Sequence, residues 1–236
     1  MRDLLYKRVI VSFLMFVLAS TICGKARADQ FQHDFQSWNM FAVQGHAMPK
    51  LRYWAELQPR FSTTADHGAE RLIARVAMGY QVSTHISLWG GYAWTPLLSP
   101  KFDDEQRFFQ QFLYEQNFGD WMIVNRTRFE QRLIANASDV SLRLRTMMRA
   151  MRPIYKDLRF VVYDEVFFTL NDPGTKGPAQ GFDQNRVFAG LNLKHNAWQF
   201  ELGYMNNLVN RPEPTNDRMG HIAMLIVLYT VPEKKR

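Results

Sequence analysis

Cysteine is nearly missing from this chain: 236 residues contain one, Cys23. It lies in a segment expected to be removed, so neither a disulfide nor a thiolate metal site is expected. Long hydrophobic runs are also scarce. Val9 to Ile22 is the first, and it falls short of the roughly 20 apolar residues a membrane helix needs. No later stretch reaches about 18 apolar residues without charge, so no helical membrane span is expected. A strong basic surplus is missing too, despite a formal net charge of +7. Arg2, Lys7, Arg8, Lys25 and Arg27 stand against Asp3 in residues 1–28, so +4 of the +7 sits there and +3 remains. No run of Lys and Arg follows, which argues against a nucleic-acid partner. The six histidines are scattered without metal-ligand spacing, so no metal and no cofactor are expected.

What is present begins with an export signal. Met1–Arg8 is basic, Val9 to Ile22 is apolar, and Ala26-Arg27-Ala28 is a small-x-small cleavage site. Ile22 in front of Cys23 argues against lipid attachment at that cysteine. The expected organisation is a signal peptide over 1–28, an N-terminal extension or extra strand over 29–49, and one β-barrel domain over 50–236. Export through the general secretory pathway with a product free of cysteine suits the bacterial outer envelope.

From residue 50 onward the hydrophobic period is two, the signature of strands. Ten segments show it: 51–60, 70–81, 84–95, 106–118, 121–134, 140–152, 158–170, 184–194, 197–208 and 219–230. Their lengths exceed the five or six residues usual in soluble sheets and match strands that cross a bilayer with tilt. Tight turns at 83–84, 118–120, 155–157 and 195–197 alternate with longer links at 61–69, 96–105, 171–183 and 209–218, and a modest one at 135–139. In bacterial barrels the tight turns face the periplasm. The expected fold is therefore all-β: a single antiparallel up-and-down transmembrane barrel of about 10 strands, with 12 also open. Segment 35–43 alternates weakly and is left open between an eleventh strand, a periplasmic extension and an inward plug. An odd count conflicts with closure by antiparallel pairs alone.

Strand parity sorts the charge. With the apolar face outward, the inward face carries Arg52, Arg60, Arg71, Arg75, Arg107, Arg126, Arg128, Arg132, Arg143, Arg145, Arg149, Arg159 and Arg186, against Glu56, Glu115, Glu130, Glu165 and Glu201. Burying such a surplus in a dry interior costs several kcal/mol per unpaired ion, so the lumen is expected to be wet or partly neutralised by small anions. Two roles follow: a structural Arg–Glu ladder, or a narrow anion-favouring channel.

Catalytic leads are few. His85 and Ser87 share one strand face, and Glu115 or Glu130 would orient the base of an acyl-transfer triad. The acidic residues Asp103, Asp104, Glu105, Asp172 and Asp183 are expected on external loops, where the alternatives are plain solvation and Ca²⁺ bridging to lipopolysaccharide phosphates. Gly174–Gly181 lacks the ending of a phosphate loop and reads as a flexible link. Trp54, Trp89, Trp94, Trp121 and Trp198, with Tyr80, Tyr92, Tyr114 and Tyr204, fall near strand ends, as in the aromatic girdles of membrane barrels.

Several phrases together resemble a bacterial envelope family, domain of unknown function 2490: Leu57-Gln58-Pro59-Arg60-Phe61, Leu88-Trp89-Gly90-Gly91-Tyr92-Ala93-Trp94, Arg126-Thr127-Arg128-Phe129-Glu130-Gln131-Arg132, Asp164-Glu165-Val166-Phe167-Phe168 and Gly181-Phe182-Asp183-Gln184-Asn185-Arg186. They run in order over nearly the whole mature chain. Two differ from the family pattern: Gln106-Arg107-Phe108-Phe109 stands where Asn-Arg-x-Trp is frequent, and Asp164-Glu165 where Asn-Glu is usual. The resemblance implies an outer-membrane-type barrel and supplies no catalytic residue. The expected function is a structural outer-membrane barrel or narrow anion-favouring channel. A lipid- or lipopolysaccharide-modifying barrel enzyme and a soluble periplasmic β-sandwich binding protein are the alternatives. Expected partners are outer-membrane lipid, lipopolysaccharide, the barrel-assembly machinery and small anions.

Overall fold

The computed structural model describes residues 31–65, 68–174, 177–211 and 217–233. The expected signal peptide, 1–28, lies outside them. The described residues form eleven strands: β1 (Gln32–Met48), β2 (Leu51–Ser62), β3 (Ala69–Gln81), β4 (Ile86–Trp94), β5 (Glu105–Phe118), β6 (Trp121–Ile134), β7 (Ser141–Tyr155), β8 (Leu158–Thr169), β9 (Gly181–His195), β10 (Trp198–Val209) and β11 (Arg218–Thr230). Each pairs with its chain neighbours, and β1 pairs with β11, so the sheet closes into a barrel. A two-sheet sandwich is thereby excluded.

The ten expected strands are all present, and 35–43 belongs to an eleventh. An odd number of alternating strands leaves the first and last pointing the same way. Their joint is accordingly parallel, in register from Gln32 opposite Arg218 to Gln44 opposite Thr230, while every other pair is antiparallel. The antiparallel-only expectation thus fails at one seam, because β1 adds a strand to an even set. Parallel pairing is slightly weaker per residue. Side-chain bonds reinforce it: Arg218 donates to Asp34, and Gln44 donates to Thr230 at 3.1 Å.

Turn chemistry separates the two ends. At one end Gly119, Lys156 and Asn196 sit at positive φ of 58°, 45° and 54°, as two-residue hairpins of matching twist require. The strand ends joined by the longer links, Ser62 and Ala69, Trp94 and Glu105, Ile134 and Ser141, Thr169 and Gly181, Val209 and Arg218, gather at the other end. Because β1 runs with β11, Gln32 lies at the long-link end and Thr230 at the tight-turn end. The start of β2 and the end of β11 share the tight-turn end.

Parity places large apolar side chains outside. Leu202 and Phe35 are each 63% exposed, and Leu88, Val76, Phe160 and Leu191 stand out similarly. The interior is filled instead. Trp38, Met147, Met151, Val161, Tyr163, Phe188, Met205, Ile222 and Met224 form one inner cluster, and Ala77, Trp89 and Phe109 a second. Room for these rings is made by glycine. On the neighbouring pair Gly190 and Gly203, an added Cβ would come within 2.6 Å of the Phe188 ring. Trp54 and Trp89 belong to this filling rather than to an outer girdle: Trp54 packs against the second cluster, and Trp89 is buried within it. Their even and odd positions in β2 and β4 put them on the same face as Glu56 and Ser87.

Candidate functional site: the charged lumen

The inner wall at the long-link half is built around three glutamates. Glu105 opens β5 and takes Arg107 at 2.7 Å, Arg132 at 2.6 Å and Arg71 at 3.2 Å. Glu130 of β6 takes two bonds from Arg143, at 2.9 and 2.6 Å, and one from Arg145 at 3.2 Å. Glu165 of β8 takes Arg145 and Arg126, each at 2.8 Å, with Arg186 at 3.9 Å. Glu130 is 1% exposed. A carboxylate buried to that degree is tolerable only when its lone pairs are filled by charged donors, and the forked guanidinium is the group that fills them two at a time.

The remaining members stand around these hubs. Glu56 accepts from Arg75 at 2.5 Å and from the Trp54 indole at 2.7 Å. Toward the tight-turn end, Glu201 holds Arg149 at 3.0 and 2.5 Å and accepts from Asn192 at 2.9 Å. Arg52 lies 3.8 Å from the more exposed Glu115. Arg159 is half-buried on the inner face opposite Asn192. Arg60 donates twice to Gln58, at 3.1 and 2.8 Å.

Aromatic rings complete the packing. Phe167, fully buried, carries Arg143, Arg145 and Arg186 at 5.2, 4.5 and 4.4 Å from its centroid. Trp38 carries Arg60 at 3.4 Å and Arg186 at 4.9 Å. A guanidinium desolvated over a ring recovers about 2 kcal/mol or more, which offsets part of the cost of its burial. Phe167 and Phe109 share parity with Glu165 and Arg107, so a parity reading extended to aromatics finds them.

Four network members escape a straight-strand reading. Glu70 lies where the β2–β3 register slips between Arg60 and Phe61, and it accepts from Arg218 at 2.7 Å. Asp183 lies where β8–β9 slips between Phe167 and Phe168, and it accepts from Arg143 at 3.1 Å. A bulge adds one residue and reverses parity locally. Asp34 and Arg218 lie at the seam. Asp183 and Glu105 are therefore buried lumen groups and not loop carboxylates. Asp104 stays outside, accepting from Trp94 at 2.6 Å.

The catalytic lead does not assemble. Ser87 is buried and accepts from Trp89 at 2.9 Å, whereas His85 is exposed, 3.0 Å from the Thr84 hydroxyl, with its ring tilted against Tyr114. Glu115 and Glu130 are engaged with arginines. Among the described residues no cluster of three His, Cys, Asp or Glu is placed to hold a metal ion. An open groove of about 750 Å³ lies on the outer wall, rimmed by Phe41, Tyr92, Trp94, Trp198 and Tyr229 over Ala55 and Ala74.

Closed barrel, filled lumen and inward Arg–Glu hubs define the class: a β-barrel with an apolar exterior and a charged interior. Its sequence relatives say which one. The family model described as protein of unknown function (DUF2490) matches residues 35–219, and the chain belongs to that family. It is also 31% identical over 221 residues to an uncharacterized protein of Methylorubrum extorquens, covering 89% of this chain and 95% of the relative.

Proposed function

We propose that the protein is an outer-membrane barrel whose lumen is closed by its own side chains, a structural wall rather than an open conduit. The observation that carries this reading is the sorting of side chains across the wall. Large apolar groups such as Leu202, Leu88 and Phe160 face out, and charged groups face in, over strands of 9–17 residues. Water is a poor solvent for such an exterior, since a monomer rarely exposes more than a few hundred Å² of contiguous apolar surface. Hydrocarbon suits it, and a closed sheet leaves no edge for lipid to strand. The export signal and the family resemblance support delivery to the outer membrane, with insertion by the barrel-assembly machinery and lipopolysaccharide as the outer-leaflet neighbour.

Closure of the lumen rests on its filling. Phe167, Phe188, Met205, Ile222, Glu130 and Glu201 are buried almost completely. That packing supports a structural role over the narrow anion-favouring channel. In planar bilayers the purified protein is expected to leave the current at baseline; steady anion-selective conductance would replace this reading with the channel.

The membrane is tested by a substitution on the wall. Leu202 stands between Leu225 and Leu191 on the outer face. In lipid, Leu202→Arg is expected to destabilise the barrel by about 2–4 kcal/mol if it lies near the bilayer midplane, read as a lower urea midpoint in liposomes. The unboiled wild type is expected to migrate differently from boiled protein in detergent gels. A neutral Leu202→Arg together with identical migration of both samples would return the protein to the aqueous phase.

A further inference from the structure

Hydrogen bonding in the lumen is incomplete at three neighbouring arginines. Arg75, Arg126 and Arg128 each keep one buried guanidinium nitrogen without a hydrogen-bond partner: Nε, Nε and Nη1 respectively. Each donates elsewhere through another nitrogen. Arg75 donates through Nη1 to Glu56 and Arg126 through Nη2 to Glu165. Arg128 uses Nε and Nη2 on the neutral Gln111 oxygen, at 3.0 and 2.6 Å. Its Nη1 stays 3.7 Å from Glu130, beyond bonding reach. Arg128 is thus a cation, 4% exposed, whose fork is spent on an uncharged amide.

The three side chains share one neighbourhood. Arg75 and Arg128 both stand over the Phe109 ring, at 5.9 and 4.2 Å. Arg126 and Arg128 are successive inward positions of β6. The Glu56 carboxylate feels the charge of all three. Glu56 is bonded to Arg75, and Glu165, bonded to Arg126, is shared with Arg145 and Arg186, which leaves the group with positive charge in surplus; Gln111 stands where another carboxylate would balance it.

We infer that the lumen holds a small inorganic anion of halide size, bound by Arg75 Nε, Arg126 Nε and Arg128 Nη1. Three charged N–H donors with no hydrogen-bond acceptor of their own make a site for a spherical anion, and the filled surroundings favour chloride over an oxyanion. Arg128 is the residue most dependent on it. The anion would be structural, locking strands β3 and β6 across the barrel. The inference rests on the closed barrel and not on its membrane, so liposome and conductance results leave it standing or falling on its own.

The test uses the full mature chain, folded in detergent, at constant ionic strength. Exchanging chloride for gluconate, too large to enter, is expected to lower the thermal unfolding midpoint by several degrees, and bromide is expected to restore it. Crystals grown in bromide should show an anomalous peak touching the three named nitrogens. Arg128→Gln should lose the dependence on halide, while Arg52→Gln, at the tight-turn end, should keep it. If Arg128→Gln fails to fold, Arg128→Lys serves, with an expected tenfold or greater rise in the chloride concentration giving half the stabilisation. Equal midpoints in chloride and gluconate, with no bromide peak, would assign the donors to water and overturn the site.

Discussion

The two halves of the lumen solve the same packing problem with different chemistry. Toward the long links, the inner wall is Glu105, Glu130, Glu165 and the arginines that share them. Beside them it is Met151, Val161, Phe188, Met205 and Ile222, with Arg149–Glu201 as a buried ion pair. Apolar filling is non-directional and tolerates repacking. The charged half is directional: each guanidinium fork fixes the strand it reaches, and Arg143 alone joins β7 to β6 and β9. A barrel sealed by such a lattice has its cross-section set by bond geometry in one part of the lumen and by volume in the other.

Breaking the charged half is expected to cost most. Glu130→Ala removes the partner shared by Arg143 and Arg145, and leaving buried charge uncompensated costs about 3–5 kcal/mol or more. Denaturant titration in detergent should show the largest loss of any single change here, or no folded band at all. Phe188→Ala attacks the other half. A cavity in place of that ring should cost about 3–5 kcal/mol, and unlike the glutamate change it should be partly recovered by Phe188→Leu. Overfilling the same place also costs. Gly203→Val drives a side chain into the Ala189 carbonyl and the Gly190 backbone as well as the Phe188 ring, and should cost about 1–3 kcal/mol or more, visible as a lower unfolding midpoint. Arg52→Gln should fall under about 1 kcal/mol, because its 3.8 Å contact with Glu115 is partly solvated. A loss from Arg52→Gln that matched Glu130→Ala would erase the distinction between the two ends.

Most of the wall was legible because parity is a local property. Arg126, Arg128, Glu130 and Arg132 alternate in a row, and a strand turns such a row inward whatever its neighbours are. Who bonds to whom was not legible, since Arg143 meets Asp183 across forty positions of sequence. The bulges at Glu70 and Asp183 reverse parity without a sequence mark of their own. The eleventh strand was seen only as a weak alternation, because β1 mixes Ser37 and Asn39 into its outer face; its place followed from the pairing with β11. His85 and Ser87 look alike on paper as neighbours two apart. The turn at Val82–His85 carries the histidine outside the wall while the serine points in, and only the backbone path distinguishes them.

The parallel seam has a consequence for how this chain can be rewired. In an even-stranded barrel the two ends meet on one rim, and a short linker can join them to make a circular permutant. Here Gln32 and Thr230 lie on opposite rims, separated by about 40 Å along the strands. Any covalent link between them must traverse the full height of the wall. The cheapest such link is itself a strand, inserted between β1 and β11 and antiparallel to both. A closed circle of this sequence would therefore be a twelve-stranded molecule.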